Sequence, residues 1–157
     1  MSFWIHFNTR VARTAGAGDR SDDIGQAITH AFGDLDRPSL YSDVLPCLDA
    51  LAALGLRLGV ITARPNAERV LAPLDVLDRF EVVVDAFTAG SAKQDPTAFL
   101  LALKLARVPA SAAVHVGDQL ERDVAPAHQA GLSAVLLDRD ERHPEAQVPR
   151  LHDLCGL

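Results

Sequence analysis

The sequence predicts an α/β fold: a Rossmann-like three-layer sandwich with a mainly parallel sheet, preceded by an N-terminal helical hairpin. Three observations carry this. From Tyr41 onward, helical periodicity alternates with short β-branched runs, the pattern of βαβ units. Each apolar run ends at a polar residue, so the strands open toward something other than core. The chain has 157 residues, 48% hydrophobic and 23% charged, enough for a hydrophobic core without disulfides or a structural metal.

The elements follow in order. Trp4, Phe7, Val11 and Ala15 recur at helical spacing up to Gly16 and Gly18, and Ile24, Ala27, Ile28 and Phe32 do so up to Gly33. Residues 1–40 therefore read as a helical hairpin and residues 41–157 as the α/β part. Asp43 can cap a helix through Leu45, Leu48, Leu51 and Leu54, with Gly55 as its stop. Residues 56–62 form a buried strand, and Pro65 restarts a helix at its first turn. Residues 81–85 are a second strand. Residues 96–107 are a second helix, with Phe99, Leu100, Leu103 and Leu105 available to the core, and residues 113–116 are a third strand. A helix from about Glu121 stops at Gly131, residues 133–137 form a fourth strand, and a charged loop leads to a short terminal helix ending near Leu154.

Composition excludes several classes. The net charge is −6, from 15 basic and 21 acidic residues, and the basic ones are scattered, which argues against a nucleic-acid partner. No apolar stretch approaches the ~20 residues that cross a bilayer, and no signal peptide is visible at the start, so no membrane partner and a cytoplasmic location are expected. Cys47 and Cys155 lie 108 positions apart among apolar neighbours, in no metal or redox spacing, and read as small hydrophobes.

Chemistry is expected at the carboxyl ends of the strands, where a doubly wound sheet places its ligand crevice. The first strand runs into Thr62-Ala63-Arg64, a hydroxyl and backbone amides at the mouth of a helix, a setting that favours an anion such as phosphate. The loop after the second strand delivers the ammonium of Lys93 just ahead of another helix. The third strand ends in Gly117-Asp118, with Asp123 five positions on. Gly117 permits a sharp turn, Asp118 faces the crevice and Asp123 reaches back, which suits a hard cation such as Mg²⁺. Each residue also has a plainer role: Thr62 as a helix-capping hydroxyl, Lys93 as a solvated loop lysine, Asp118 as a turn former. His115 reads as a buried, satisfied side chain.

Thr62, Lys93 within Ala92-Lys93-Gln94-Asp95-Pro96, and His115-Val116-Gly117-Asp118 followed by Asp123 and Ala130-Gly131 resemble, in this order, motifs two, three and four of the haloacid dehalogenase-like hydrolase superfamily. The match runs over residues 41–140, and residues 3–40 look like part of that family's helical cap. The resemblance implies Mg²⁺-assisted phosphoryl transfer from a small phosphorylated substrate to an aspartate and then to water. Thr62, Ala63 and Lys93 would hold the phosphoryl group. Asp118 would bind Mg²⁺ with Asp123 supporting, and Lys93 and Asp118 would count as the catalytic residues. The phosphatase branch is the better match, because the dehalogenase branch needs no metal and gives a carboxylate pair no role.

The family's first motif, an apolar strand ending in Asp-x-Asp-Gly-Thr, supplies the nucleophile. This chain has none ahead of the hairpin. Asp34-Leu35-Asp36 lacks both the strand and the Gly-Thr turn. Asp138-Arg139-Asp140 follows an apolar run but is continued by Glu141-Arg142, and its plainer reading is a solvated charged turn. Two explanations are open: the chain is the downstream part of a longer protein, with Met1 internal, or it is a nucleophile-free relative that binds phosphate or a protein without catalysis. Either way Mg²⁺ is expected to bind weakly. The strands ending at Thr62 and Asp118 should be direct neighbours or be separated by a strand from elsewhere, a second copy in a homodimer being one source.

Overall fold

A computed structural model describes residues 10–35, 39–64, 66–85, 88 and 95–157, with only the backbone of residues 29–35. Lys93, Ala92, Gln94, Pro65, Trp4 and Phe7 lie outside the described residues. The chain divides into two compact units, Met1–Ser39 and Leu40–Leu157.

In the first unit, residues 10–14 are helical and α1 spans Ser21–Leu35 after a 3₁₀ turn at Gly18–Arg20. The buried positions are small: Ala12, Ser21 and Gly25. The Ser21 hydroxyl donates to the Gly18 carbonyl at 2.6 Å, tying the start of α1 to the turn before it. Val11 is 47% exposed and Ala15 is exposed, so of the spacing's four positions the two described ones are not buried.

The second unit alternates helices and strands as its periodicity predicts. Helix α2 (Val44–Ala53) leads to β1 (Gly59–Ile61), α3 (Ala67–Leu71), β2 (Val82–Val84), α4 (Thr97–Ala106), β3 (Val114–Gly117), α5 (Ala125–Gln129), β4 (Ser133–Leu137) and β5 (Arg150–Leu151). Among the described residues all pairings are parallel: β1 with β2 in one sheet, and β3 with β4 and β4 with β5 in another. This is a mixed α/β fold of Rossmann-like type. Gly55, at φ +74°, ends α2 as expected, because the left-handed residue lets the Leu56 amide return to the Leu51 carbonyl at 3.1 Å.

Both sheets share one core. Val82 and Val84 of β2, Ala98 and Phe99 of α4, Val124, Ala127 and Ala130 around α5, and Ala134 and Leu136 of β4 form a single buried cluster. Phe99 and Leu136 are fully buried, each removal from water contributing about 1.5–3 kcal/mol. Arg57 forks onto the Glu81 carboxylate and also donates to the Ala106 carbonyl at 2.7 Å, joining the approach to β1, the start of β2 and the end of α4. That pair is half exposed, so its contribution is small.

Several expectations are corrected. Leu100 and Leu105 are about half exposed (51% and 49%), since Ala98 and Phe99 take the inward face of α4. Leu54 lies past the end of α2 and is 73% exposed; Cys47 and Leu48 are what that helix buries. Asp43 sits at the N-cap but makes no side-chain cap hydrogen bond, because its carboxylate is taken by Arg139 and by the Leu154 amide, each at 2.8 Å. In place of a short terminal helix ending near Leu154, the chain forms strand β5 and then a 3₁₀ turn at Leu154–Gly156.

Candidate functional site

Strands β1, β2 and β3 carry polar residues at or just beyond their carboxyl ends, and local geometry fixes each differently. Thr62 continues the β1–β2 ladder, donating its amide to Val84 O at 2.9 Å, and its hydroxyl oxygen accepts the Arg64 amide at 3.1 Å. The hydroxyl thus shapes the turn through Ala63 and caps no helix. Ala63 is exposed.

The helix mouth beyond this turn is occupied by a residue whose part the sequence reading missed. Asp85, just after β2, is 9% exposed, and its carboxylate accepts the Ala67 amide at 3.3 Å from the start of α3. Its other oxygen accepts the Thr88 amide and hydroxyl, both at 2.8 Å. The Thr88 amide and hydroxyl, with the Ala67 and Asn66 amides, outweigh desolvation and hold the Asp85 carboxyl at about 2. A carboxylate therefore fills the N-terminus of α3, so the anion-binding donors expected there narrow to the Thr62–Ala63 turn. The signal was visible as the polar end of the run Val82-Val83-Val84. At the start of α4, Asp95 accepts the Thr97 amide at 2.7 Å.

The end of β3 is the most constrained part. Gly117 is still extended, the last residue of β3 and paired with Leu136; the chain bends at the exposed Asp118, and a π-helical turn at Leu120–Val124 follows, with the Asp123 and Val124 amides both bonded to the Gln119 carbonyl. Such widened turns recur at functional sites. This one places Asp123, 2% exposed, directly beneath Gly117: a Cβ there would lie 2.4 Å from both Cβ and Cγ of Asp123. The Asp123 carboxylate accepts the Gln119 amide at 2.9 Å, and its other oxygen lies 3.6 Å from His115 Nε2. His115 in turn stands edge-on to Phe99, the ring centroids 4.8 Å apart at 84°.

Asp138 is not a solvated turn. It is 2% exposed, and its oxygens accept the Arg142 amide at 2.7 Å and the His143 amide at 2.9 Å, with Arg150 at 3.6 Å. Burial pushes its carboxyl up, yet the two amide donors and the nearby cations hold it below the usual range. It anchors the loop between β4 and β5. Asp34 falls on the helical backbone of α1, and Asp36 is outside the described residues.

The structure therefore brings Asp123 under Gly117 and onto the Gln119 amide, leaves Asp118 exposed just past β3, and gives Asp138 a role of its own. Among the described residues, no group of three His, Cys, Asp or Glu side chains gathers to hold a metal ion. Asp118 and Asp123 would give a Mg²⁺ ion at most two carboxylates, with waters making up the rest of its shell. No helix among the described residues is long and apolar enough to cross a membrane.

A parallel α/β fold with this strand-end arrangement defines a class, and comparison with known proteins identifies it. A family model described as haloacid dehalogenase-like hydrolase matches residues 3–131, and the chain belongs to that family. It is 32% identical over 138 residues to the haloacid dehalogenase-like hydrolase domain-containing protein 3 of Danio rerio, covering 87% of this chain and 57% of that protein. It is 34% identical over 146 residues to a phosphoglycolate phosphatase of Rhodospirillum rubrum, covering 87% of this chain and 60% of the relative. Among solved structures, a 2-haloacid dehalogenase from Pseudomonas syringae pv. Tomato superposes with a TM-score of 0.72 at 31% identity, over 96% of this chain and 66% of that one. The chain thus spans 57–60% of the length of these two curated relatives.

Proposed function

We propose that this chain supplies the phosphate-holding crevice of a cytoplasmic phosphatase acting on small phosphorylated substrates. The observation that carries the reading is the end of β3. A buried Asp123 fits beneath Gly117 with room for no other residue there, and it pins the Gln119 amide so that Asp118 is presented in the open. Two carboxylates so arranged have a use when a cation and a phosphoryl group meet at the strand ends, and little use in metal-free dehalogenation. Phosphatase names among the relatives point the same way.

In this reading the Thr62 hydroxyl donates to a phosphate oxygen at the turn through Ala63, and Lys93 neutralises charge on the transferring oxygens. Asp118 and Asp123 attract Mg²⁺, which would neutralise further charge when bound. Two carboxylates hold it weakly, with waters completing its shell. Anion binding therefore rests on Thr62, Ala63 and Lys93 more than on the carboxylates.

The test is calorimetric titration of inorganic phosphate into the chain and two variants. Lys93→Ala should weaken phosphate binding at least about tenfold, the loss of one charge-assisted contact. Asp118→Asn should leave it unchanged or tighter. Equal losses in both variants, or tight Mg²⁺ binding with no phosphate affinity, would sink the reading.

A further inference from the structure

Two cysteines that the sequence sets 108 positions apart line the same groove in the fold. Asp43 is the fastener: its carboxylate accepts the Leu154 amide at 2.8 Å and binds Arg139 at 2.8 Å, so the terminal 3₁₀ turn is tied to the start of α2. Cys47 lies one helical turn along α2, its amide bonded to the Asp43 carbonyl at 3.1 Å, and Cys155 directly follows Leu154. Both cysteines line the same groove of about 270 Å³, together with Ala50, Leu51, Leu154 and Leu157. Both are free thiols, Cys47 buried and Cys155 exposed, and the chain has no other cysteine.

We infer that Cys47 and Cys155 are an intramolecular redox pair, closed to a disulfide by a small-molecule disulfide of the glutathione class. Closure takes two exchanges. The exposed Cys155 loses its proton to solvent and attacks one sulfur of the small disulfide; the S–S bond breaks and the departing thiolate takes up a proton. Cys47, deprotonated in turn, attacks the Cys155 sulfur and expels the second small thiol. Two electrons pass from the pair to the small disulfide, which leaves as two thiols.

The surroundings set when this happens. Burial, then the negative charge of Asp43 and the neighbouring Cys155, push the Cys47 thiol up. Asp153 does most to raise Cys155, with burial and Asp43 adding and Arg139 opposing. Both thiols therefore stay protonated near neutrality, and closure is slow there and faster as pH rises, because only thiolates attack. The bond would fasten the chain's last turn to α2, the helix that leads into β1 and Thr62.

The full chain incubated with oxidised glutathione tests this, read by intact mass and by peptide mapping without reductant. The expected product is a monomer lighter by two hydrogens with a Cys47–Cys155 crosslink, formed roughly tenfold faster at pH 8 than at pH 7. Because the crosslink encloses a long loop, its melting temperature should rise by roughly 5–10 °C. Cys47→Ala should stop at a single glutathione adduct on Cys155, and Cys155→Ser, an exposed change that leaves folding intact, should give neither adduct nor crosslink. A glutathione adduct that persists in the parent chain, a disulfide-linked dimer, or a crosslink formed only in denaturant would overturn the inference.

Discussion

Adding one methyl group at Gly117 should cost more than any other Gly→Ala change in the described strands. The new Cβ would lie 2.4 Å from Asp123 Cβ and Cγ and 2.5 Å from Oδ2. Carbon atoms in contact sit near 3.5–4.0 Å, so the gap must open by about 1 Å. Turning the Asp123 side chain does not relieve a clash at its own Cβ, so the π-helical turn itself has to move. Overpacking of this kind costs about 1–3 kcal/mol. Losing the charge-assisted bond to the Gln119 amide adds about 1.5–3 kcal/mol where the shift breaks it.

About 3 kcal/mol in all lowers the melting temperature of a domain this size by roughly 10 °C. Gly59→Ala is the control, since its Cβ would meet only Val82, at 3.4 Å or more. The two changes restrict the unfolded chain alike, so their difference isolates the clash. Thermal unfolding followed by circular dichroism reads both. If Gly117→Ala melts within about 2 °C of Gly59→Ala, the close fit of Asp123 beneath β3 does not exist in solution.

Two further outcomes are expected. With its carboxyl held at about 2 against an ordinary value of 3.8, Asp85 contributes about 2 kcal/mol of stability that is fully present above about pH 4 and is lost as pH falls toward 2; urea unfolding from pH 6 to pH 2.5 should show Asp85→Asn destabilised at the upper end and converging on the parent at the lower, and parallel curves would refute it. The chain by itself should not turn over p-nitrophenyl phosphate with Mg²⁺, and Asp138→Asn should lower its stability by about 1–3 kcal/mol through the loop it anchors; turnover of about one per second abolished by that substitution would make Asp138 the nucleophile instead.

How much of this was legible in the sequence depended on how local the signal was. Strands β2 to β4 fall within a residue of the stretches read from β-branched runs, because parallel strands covered by helices must be apolar along their length, whereas β1 starts three residues later than the run read from Leu56. Strand β5 was invisible: two residues, Arg150 and Leu151, carry no period, and they pair with β4 only because Asp138 folds the intervening loop back. The Gly117, Asp118 and Asp123 spacing was readable, whereas the burial of Asp123 and the widened turn beneath it were not, since they depend on a backbone path that no spacing encodes. Asp43 and Asp85 illustrate the same limit. Each was visible as an acidic residue at an element boundary, but its partners, Arg139 and Leu154 for one and Ala67 and Thr88 for the other, come from elsewhere in the fold.

The separation of the two sheets bears directly on the candidate site. Thr62 lies just past β1 and Asp118 just past β3, yet among the described residues β1 pairs with β2 and β3 with β4, and no ladder joins β1 to β3. The direct pairing that was one expectation is therefore not observed. The spacing between the Thr62 turn and the carboxylates is then set by side-chain packing instead of backbone hydrogen bonds. Helix α4 does that work: it packs on β1 and β2, while its Phe99, wholly buried, reaches the His115 ring of β3, the residue that stands against Asp123. A packed contact resists displacement less directionally than a ladder does, and Val114, 61% exposed, shows how little covers the start of β3. A strand supplied between β1 and β3, from a second copy or from another polypeptide, would pair with the edges that carry no ladder among the described residues and would fix by hydrogen bonds a distance that α4 helps to hold.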